Sequence, residues 1–140
     1  MEKETESKVY LAAPLFSDAE RAYNLLVRDL LEKHGYRVYL PQDAGEGTEG
    51  PERDRAIFES HARALDGARC VVAVCDGADT DSGTAWELGY ASAKGIPVIA
   101  LSTDRRSPWG GRRVNLMIRS SAEVVGTAEE VLAALAARLP

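Results

Sequence analysis

Two short apolar runs, Cys70-Val-Val-Ala-Val-Cys75 and Ile96-Pro-Val-Ile-Ala-Leu101, flank one stretch of helical periodicity, and this arrangement restricts the chain to a narrow class of folds. A run of β-branched residues without polar alternation reads as a strand buried on both faces. Two such strands joined through one helix lie parallel, because the crossover returns the chain to the same end of the sheet. The pattern extends in both directions. Lys8-Val-Tyr-Leu-Ala-Ala13 reads as a first strand ended by Pro14. Ser17 or Asp18 can cap a helix that carries Ala22, Leu25, Leu26, Asp29 and Leu30 to His34, with Gly35 as its stop. Tyr36-Arg-Val-Tyr-Leu40 alternates as a second strand, and Pro41 to Glu52, rich in Gly, Asp and Glu, reads as a long loop of the kind that often carries function. A helix from about Pro51 to Leu65 sets Ala56, Ile57, Ser60 and Ala64 along one side. Beyond Leu101, Ser102 to Gly111 is turn-rich, Arg112 to Ser120 reads as a short helix and Glu123-Val-Val125 as a last strand. Thr127 to Leu139 closes the chain as an amphipathic helix capped by Thr127, with Glu130 in its first turn. The expected fold is α/β, a flavodoxin-like or Rossmann-like three-layer sandwich with a five-stranded parallel sheet.

The length of 140 residues fits one domain, read as residues 8–140 after a flexible, charged N-terminal tail of residues 1–7. A net charge of −5, with Lys and Arg scattered apart from Arg105-Arg106 and Arg112-Arg113, argues against a nucleic-acid partner and for a small polar substrate. The two cysteines lie five positions apart in one strand, where their side chains point to opposite faces and cannot pair, so they read as core residues of a reducing compartment. No segment is apolar enough to span a membrane and the N-terminus is charged, so a cytoplasmic location without a membrane partner is expected. No Gly-rich phosphate loop follows the first strand, and neither a cofactor nor a metal is expected.

The chemistry concentrates in Asp81-Ser-Gly-Thr-Ala-Trp-Glu-Leu-Gly-Tyr-Ala91. Asp76-Gly77 ends the third strand, and from Ser82 onward Ala85, Leu88, Ala91 and Ser92 recur at helical spacing, with Asp81 or Ser82 as N-cap and Gly95 followed by Pro97 as the stop. Glu87 then lies in the second turn, beside Gly83, Thr84, Tyr90 and Ala91. Three of these four neighbours are small, which leaves room for a ligand. In open α/β sheets ligands bind at the carboxyl ends of the strands. The loops after the first three strands, Ala12 to Phe16, Gln42 to Gly47 and Asp76 to Glu87, share that edge, which makes Glu87 a candidate nucleophile.

Taken together, Tyr10-Leu-Ala-Ala-Pro-Leu-Phe16, Tyr39-Leu-Pro-Gln-Asp43, the Asp81 to Ala91 stretch, Gly95-Ile-Pro-Val-Ile99 and Asn115-Leu-Met117 resemble the nucleoside 2-deoxyribosyltransferase family over nearly the whole chain. The Asp-x-Gly-x-x-x-Glu-x-Gly-x-Ala element is the most specific part of the resemblance. It implies that Glu87 attacks the anomeric carbon of a 2′-deoxynucleoside and that Tyr10 orients it. A carboxylate suits this step, since it stabilises an oxocarbenium-like state and then captures it. The resemblance further implies a substrate-binding set of Ala12, Phe16, Asp43, Gly83, Asn115 and Met117, with Asn115 donated by a neighbouring subunit of a homo-oligomer. Two positions depart from the family pattern. His61 stands where a base-contacting Asp is usual, and Arg69 where an acid directly precedes the strand. His61 reads either as a substitute proton donor or as a surface histidine, and Asp43 is an alternative group on the base side. A sister branch hydrolyses deoxynucleoside 5′-monophosphates. The carboxylate of Asp81 favours a free 5′-hydroxyl over a phosphate, because like charges in contact repel by a few kcal/mol at an effective dielectric of about 20.

Overall fold

The computed structural model describes residues 8–44, 50–106 and 114–139. The expected tail at 1–7, the middle of the loop after the second strand at 45–49, and Arg112-Arg113 lie outside the described residues. The elements follow the alternating order expected from the sequence: β1 (Lys8–Ala12), α1 (Asp18–Lys33), β2 (Arg37–Tyr39), α2 (Pro51–Asp66), β3 (Cys70–Val74), α3 (Ser82–Ala93), β4 (Val98–Leu101), α4 (Leu116–Ser121), β5 (Glu123–Val125) and α5 (Ala128–Arg138). A 3-10 turn at Pro41–Asp43 opens what the sequence reads as a long loop.

All strand pairs are parallel, in the order β2-β1-β3-β4-β5. This is the flavodoxin-like order, whose connections reverse direction between β1 and β3 and so leave a crevice at the carboxyl ends of those two strands. Alternation along the strands divides the core. Val9, Leu11, Val72 and Leu101 pack with Val27 and Leu31 of α1 and Val131 and Leu135 of α5. Tyr10, Ala12, Val71 and Ala73 pack on the other face with Leu65 of α2, Leu88 and Ala91 of α3 and Ile118 of α4. Tyr10 therefore faces α3 because it is one residue out of step with Val9. The same parity places Cys70 and Cys75 in opposite core clusters, both as free thiols.

The buried stripes of two helices differ from those read off the sequence. In α1 the fully buried residues are Asn24, Val27 and Leu31, whereas Leu26 is 57% exposed and Ala22 and Asp29 face solvent. A polar residue in the inner stripe disguised the helical period. The Asn24 amide donates to the Pro14 carbonyl and to Gln42 Oε1, both at 2.9 Å, so its burial is satisfied. In α2, Ala56 is exposed, and the inward-leaning residues are Ile57, Ser60, His61 and Ala64, with Leu65 buried. The helix expected from Arg112 begins only at Leu116, behind an Asn115 cap whose Oδ1 accepts from the Met117 amide at 2.8 Å.

Candidate functional site

The site is built at the switch point between β1 and β3. Asp81 caps α3, its Oδ2 accepting from the Thr84 amide at 3.0 Å and the Thr84 hydroxyl at 3.3 Å. Gly83 packs closely beside it: a Cβ there would lie 3.2 Å from Asp81 Oδ2, a tight contact that the cap carboxylate would have to shift to accommodate. The preceding loop is braced from β4. The Asp76 carboxylate accepts from the amides of Thr103 and Asp104 at 2.6 and 2.9 Å, and Gly77, at φ +114°, donates to Asp104 at 3.2 Å. With its N-terminus fixed, α3 lays Glu87 over β1, and the Tyr10 hydroxyl donates a hydrogen bond to Glu87 Oε2.

The electrostatics follow from burial. Tyr10 has no exposed surface. Burial, the Glu87 charge and the hydrogen bond to Glu87 all hold its hydroxyl well above the ordinary phenol range, so Tyr10 remains the donor. Glu87 is pushed up to about 7, chiefly by burial; the Tyr10 bond opposes that rise and the negative charge of Asp81 adds to it. A carboxyl group poised near neutrality beside a fixed donor is the arrangement expected of a reactive carboxylate rather than of a solvated helix glutamate.

Tyr10 also links Glu87 to a second group. Its ring stacks on Tyr39 with centroids 5.2 Å apart, and the Tyr39 hydroxyl lies 2.8 Å from His61 Nδ1. Tyr10 and Tyr39 are register partners across the β1–β2 pair, which is why their rings meet. His61 is half-buried, with Nδ1 turned to the Tyr39 hydroxyl. It lines a cavity of about 500 Å³ together with Arg21, Pro41, Arg53 and Ile57, and burial holds its imidazolium below the ordinary range. Glu87 is not among the residues lining that cavity; the contact chain Glu87–Tyr10–Tyr39–His61 connects the two.

The other candidate residues are dispersed. Ala12 is buried at the end of β1 and Phe16 is 72% exposed in the loop beyond it. Asp43, read as an alternative base-side group, is instead drawn into an ion pair with Arg28 of α1 and does not line the cavity. Asn115 and Met117 line a separate groove between α3 and α4, and Met117 is 74% exposed. Among the described residues no cluster of His, Cys, Asp and Glu could hold a metal ion, and no helix is long and apolar enough to cross a membrane. Sequence reasoning assigned no role to Tyr39, Asn24 or Gln42. Tyr39 was detectable through its strand parity, which matches that of Tyr10. Asn24 was detectable as a polar residue three and seven positions before Val27 and Leu31.

The family model described as nucleoside 2-deoxyribosyltransferase matches residues 9–124, which include the whole Tyr10, Asp81 and Glu87 constellation. The chain belongs to the nucleoside 2-deoxyribosyltransferase family. Its structural relatives include a conserved protein from Enterococcus faecalis V583, 28% identical with a TM-score of 0.79 over 96% of this chain and 99% of that one. A 2-deoxyribosyltransferase from Bacillus psychrosaccharolyticus is 27% identical, with a TM-score of 0.74 over 89% of each chain. A CMP N-glycosidase from Clostridium botulinum shares the fold at 20% identity and a TM-score of 0.57, over 93% of this chain and 98% of that one. Comparison with curated proteins gives no match. For a member of this nucleoside 2-deoxyribosyltransferase family, the five-stranded parallel sheet and the carboxylate at its switch point are mutually consistent findings.

Proposed function

We propose that the protein transfers 2-deoxyribose between nucleobases through a covalent deoxyribosyl-Glu87 intermediate. One observation carries the reading: Glu87 is held by the buried Tyr10 hydroxyl and poised at about 7 at the switch point of the sheet. In the first step a Glu87 oxygen bonds to C1′, the N-glycosidic bond breaks, and its electron pair leaves with the base, which takes up a proton. In the second step a ring nitrogen of an acceptor base attacks C1′, the carboxylate is released, and the base's ring N–H proton returns to the group that protonated the departing base, so configuration is retained. Tyr10 holds the nucleophile in its attacking position, and His61 supplies the hydrogen bond or proton that the departing base requires. Asp81 lies close enough to raise the Glu87 pKa, and a 5′-phosphate beside both carboxylates would be repelled, which supports nucleosides over nucleotides as substrates. Ala12, Phe16 and Gly83 would border the sugar. Asn115 and the exposed Met117 would complete the site of a second copy in a homo-oligomer, and the free, buried thiols suit a cytoplasmic setting.

Mass spectrometry after brief exposure to a 2′-deoxy-2′-fluoro nucleoside tests the reading. A sugar adduct on Glu87, absent in Glu87→Ala, is expected. Incubation with deoxyinosine and adenine should yield deoxyadenosine and hypoxanthine. If neither the adduct nor exchange appears, the proposal fails; free deoxyribose without an acceptor base would mark water as the second nucleophile.

A further inference from the structure

Among the described residues the phenol oxygen of Tyr39 meets two polar side chains, Ser60 Oγ at 3.4 Å and His61 Nδ1 at 2.8 Å. A phenol has one proton to give. Ser60 can donate to the Tyr39 oxygen, which leaves the Tyr39 proton for Nδ1. The ring of Tyr39 is itself fixed, stacked on Tyr10 on one side and meeting His61 edge-on, with ring centroids 5.8 Å apart. We infer that Tyr39 is a positioning residue: its hydroxyl holds His61 in the tautomer with the proton on Nε2, so that the cavity presents donors and selects nucleobases rich in carbonyl acceptors.

The cavity wall agrees with that polarity. Its described lining contains no carboxylate; the charged side chains are Arg21 and Arg53. Arg21 is anchored to the Leu15 carbonyl at 3.2 Å and paired with Asp18, which fixes its guanidinium at the cavity wall. Gln42, which could offer an acceptor, is already engaged, its Oε1 accepting from Asn24 at 2.9 Å and its Nε2 donating to the Arg21 carbonyl at 3.1 Å. Leu15, Pro41 and Ile57 supply flat apolar contact for a heterocycle. Because burial disfavours the imidazolium, His61 is neutral near pH 7 and has one donor and one acceptor nitrogen; the Tyr39 bond decides which is which. A 6-oxopurine presents adjacent ring-nitrogen and carbonyl acceptors to such a wall. A 6-aminopurine presents an amino donor there, and two donors facing each other leave both unpaired. The inference rests on the proposed function in taking this cavity for the base site.

Two histidines, His34 and His61, make the test direct. His34 Nδ1 lies 2.8 Å from the Leu30 carbonyl and must donate, so the two rings are expected in opposite tautomers. In 15N-histidine NMR, with His34→Gln for assignment, His61 should show an unprotonated Nδ1 and a protonated Nε2. Tyr39→Phe keeps the stacking ring and should convert His61 to a mixture of tautomers. By calorimetry the wild-type protein should bind hypoxanthine at least about tenfold more tightly than adenine, the scale of one unmatched hydrogen-bonding group. In Tyr39→Phe that ratio should fall to within about threefold, on the same basis. Ser60→Ala, which leaves both tyrosines in place, should move the tautomer in the same direction and serves if Tyr39→Phe does not fold. An Nδ1-protonated His61, equal or tighter binding of adenine, or no binding of either base overturns the inference. None of these readings needs turnover. Selective hypoxanthine binding without a Glu87 adduct would refute deoxyribosyl transfer and leave the base selection standing, whereas an adduct with the wrong tautomer would do the reverse.

Discussion

Replacing Glu87 by Gln is expected to stabilise the fold while removing the proposed nucleophile. The carboxyl group sits at about 7 in the folded protein against an ordinary value of 4.5, a rise caused first by burial. Below the ordinary 4.5 it is neutral in both states and costs the fold nothing. Between 4.5 and about 7 the unfolded chain releases a proton that the folded protein retains, so stability falls as pH rises; above about 7 the loss is complete and constant. At 1.36 kcal/mol per pH unit the full penalty is about 3 kcal/mol. Gln keeps a carbonyl for the Tyr10 hydroxyl but makes a weaker, uncharged hydrogen bond and buries an amide, so a net gain of about 1–3 kcal/mol is expected. Urea unfolding of both proteins from pH 4 to 9 measures it. The difference should open between pH 5 and 7 and then stay level. A Gln variant less stable than wild type at pH 8, or a difference independent of pH, would refute the claim that the fold buries this carboxylate at a cost.

Three further outcomes follow from the same geometry. Tyr10→Phe removes a hydrogen bond to a charged group, so glycosyl transfer at pH 7 should drop about 10- to 100-fold, with the acid limb of the pH–rate profile moving upward because the lost bond had favoured ionised Glu87. Asp81→Asn keeps a cap oxygen for Thr84 but removes a negative charge, so the acid limb should move downward with little change in melting temperature; a limb that stays fixed would show that Asp81 does not act on Glu87 through charge. Asn24→Ala strips donors from the Pro14 carbonyl and Gln42, and chemical denaturation should register a loss of about 1–3 kcal/mol, while a neutral effect would mean that the loop after β1 is held by other contacts.

The order of elements, the parallel sheet and the capped start of α3 were legible in the residues themselves, because strand alternation, N-caps and stop signals act over a few positions. Departures arose where a polar residue sat in a buried stripe. Asn24 and His61 look like surface residues to a periodicity argument, yet Asn24 is buried and His61 half-buried, each satisfied by a partner distant in sequence, Gln42 or Tyr39. Asp43 shows the opposite case: its position beside a functional loop was readable, but Arg28, fifteen residues earlier on another element, turns it away from the cavity.

By itself the sequence determined that a carboxylate at position 87 follows a buried strand on a capped helix, with Tyr10 on the first strand as the partner that the family resemblance implies. Tertiary structure decided what those groups are chemically. Burial raises Glu87 to about 7, the Tyr10 hydroxyl opposes that rise, and register pairing of β1 with β2 stacks Tyr39 on Tyr10 and so brings His61 into the same chain of contacts. The physical reason is that desolvation and hydrogen bonding depend on atoms brought together from separate elements, which local sequence patterns do not encode.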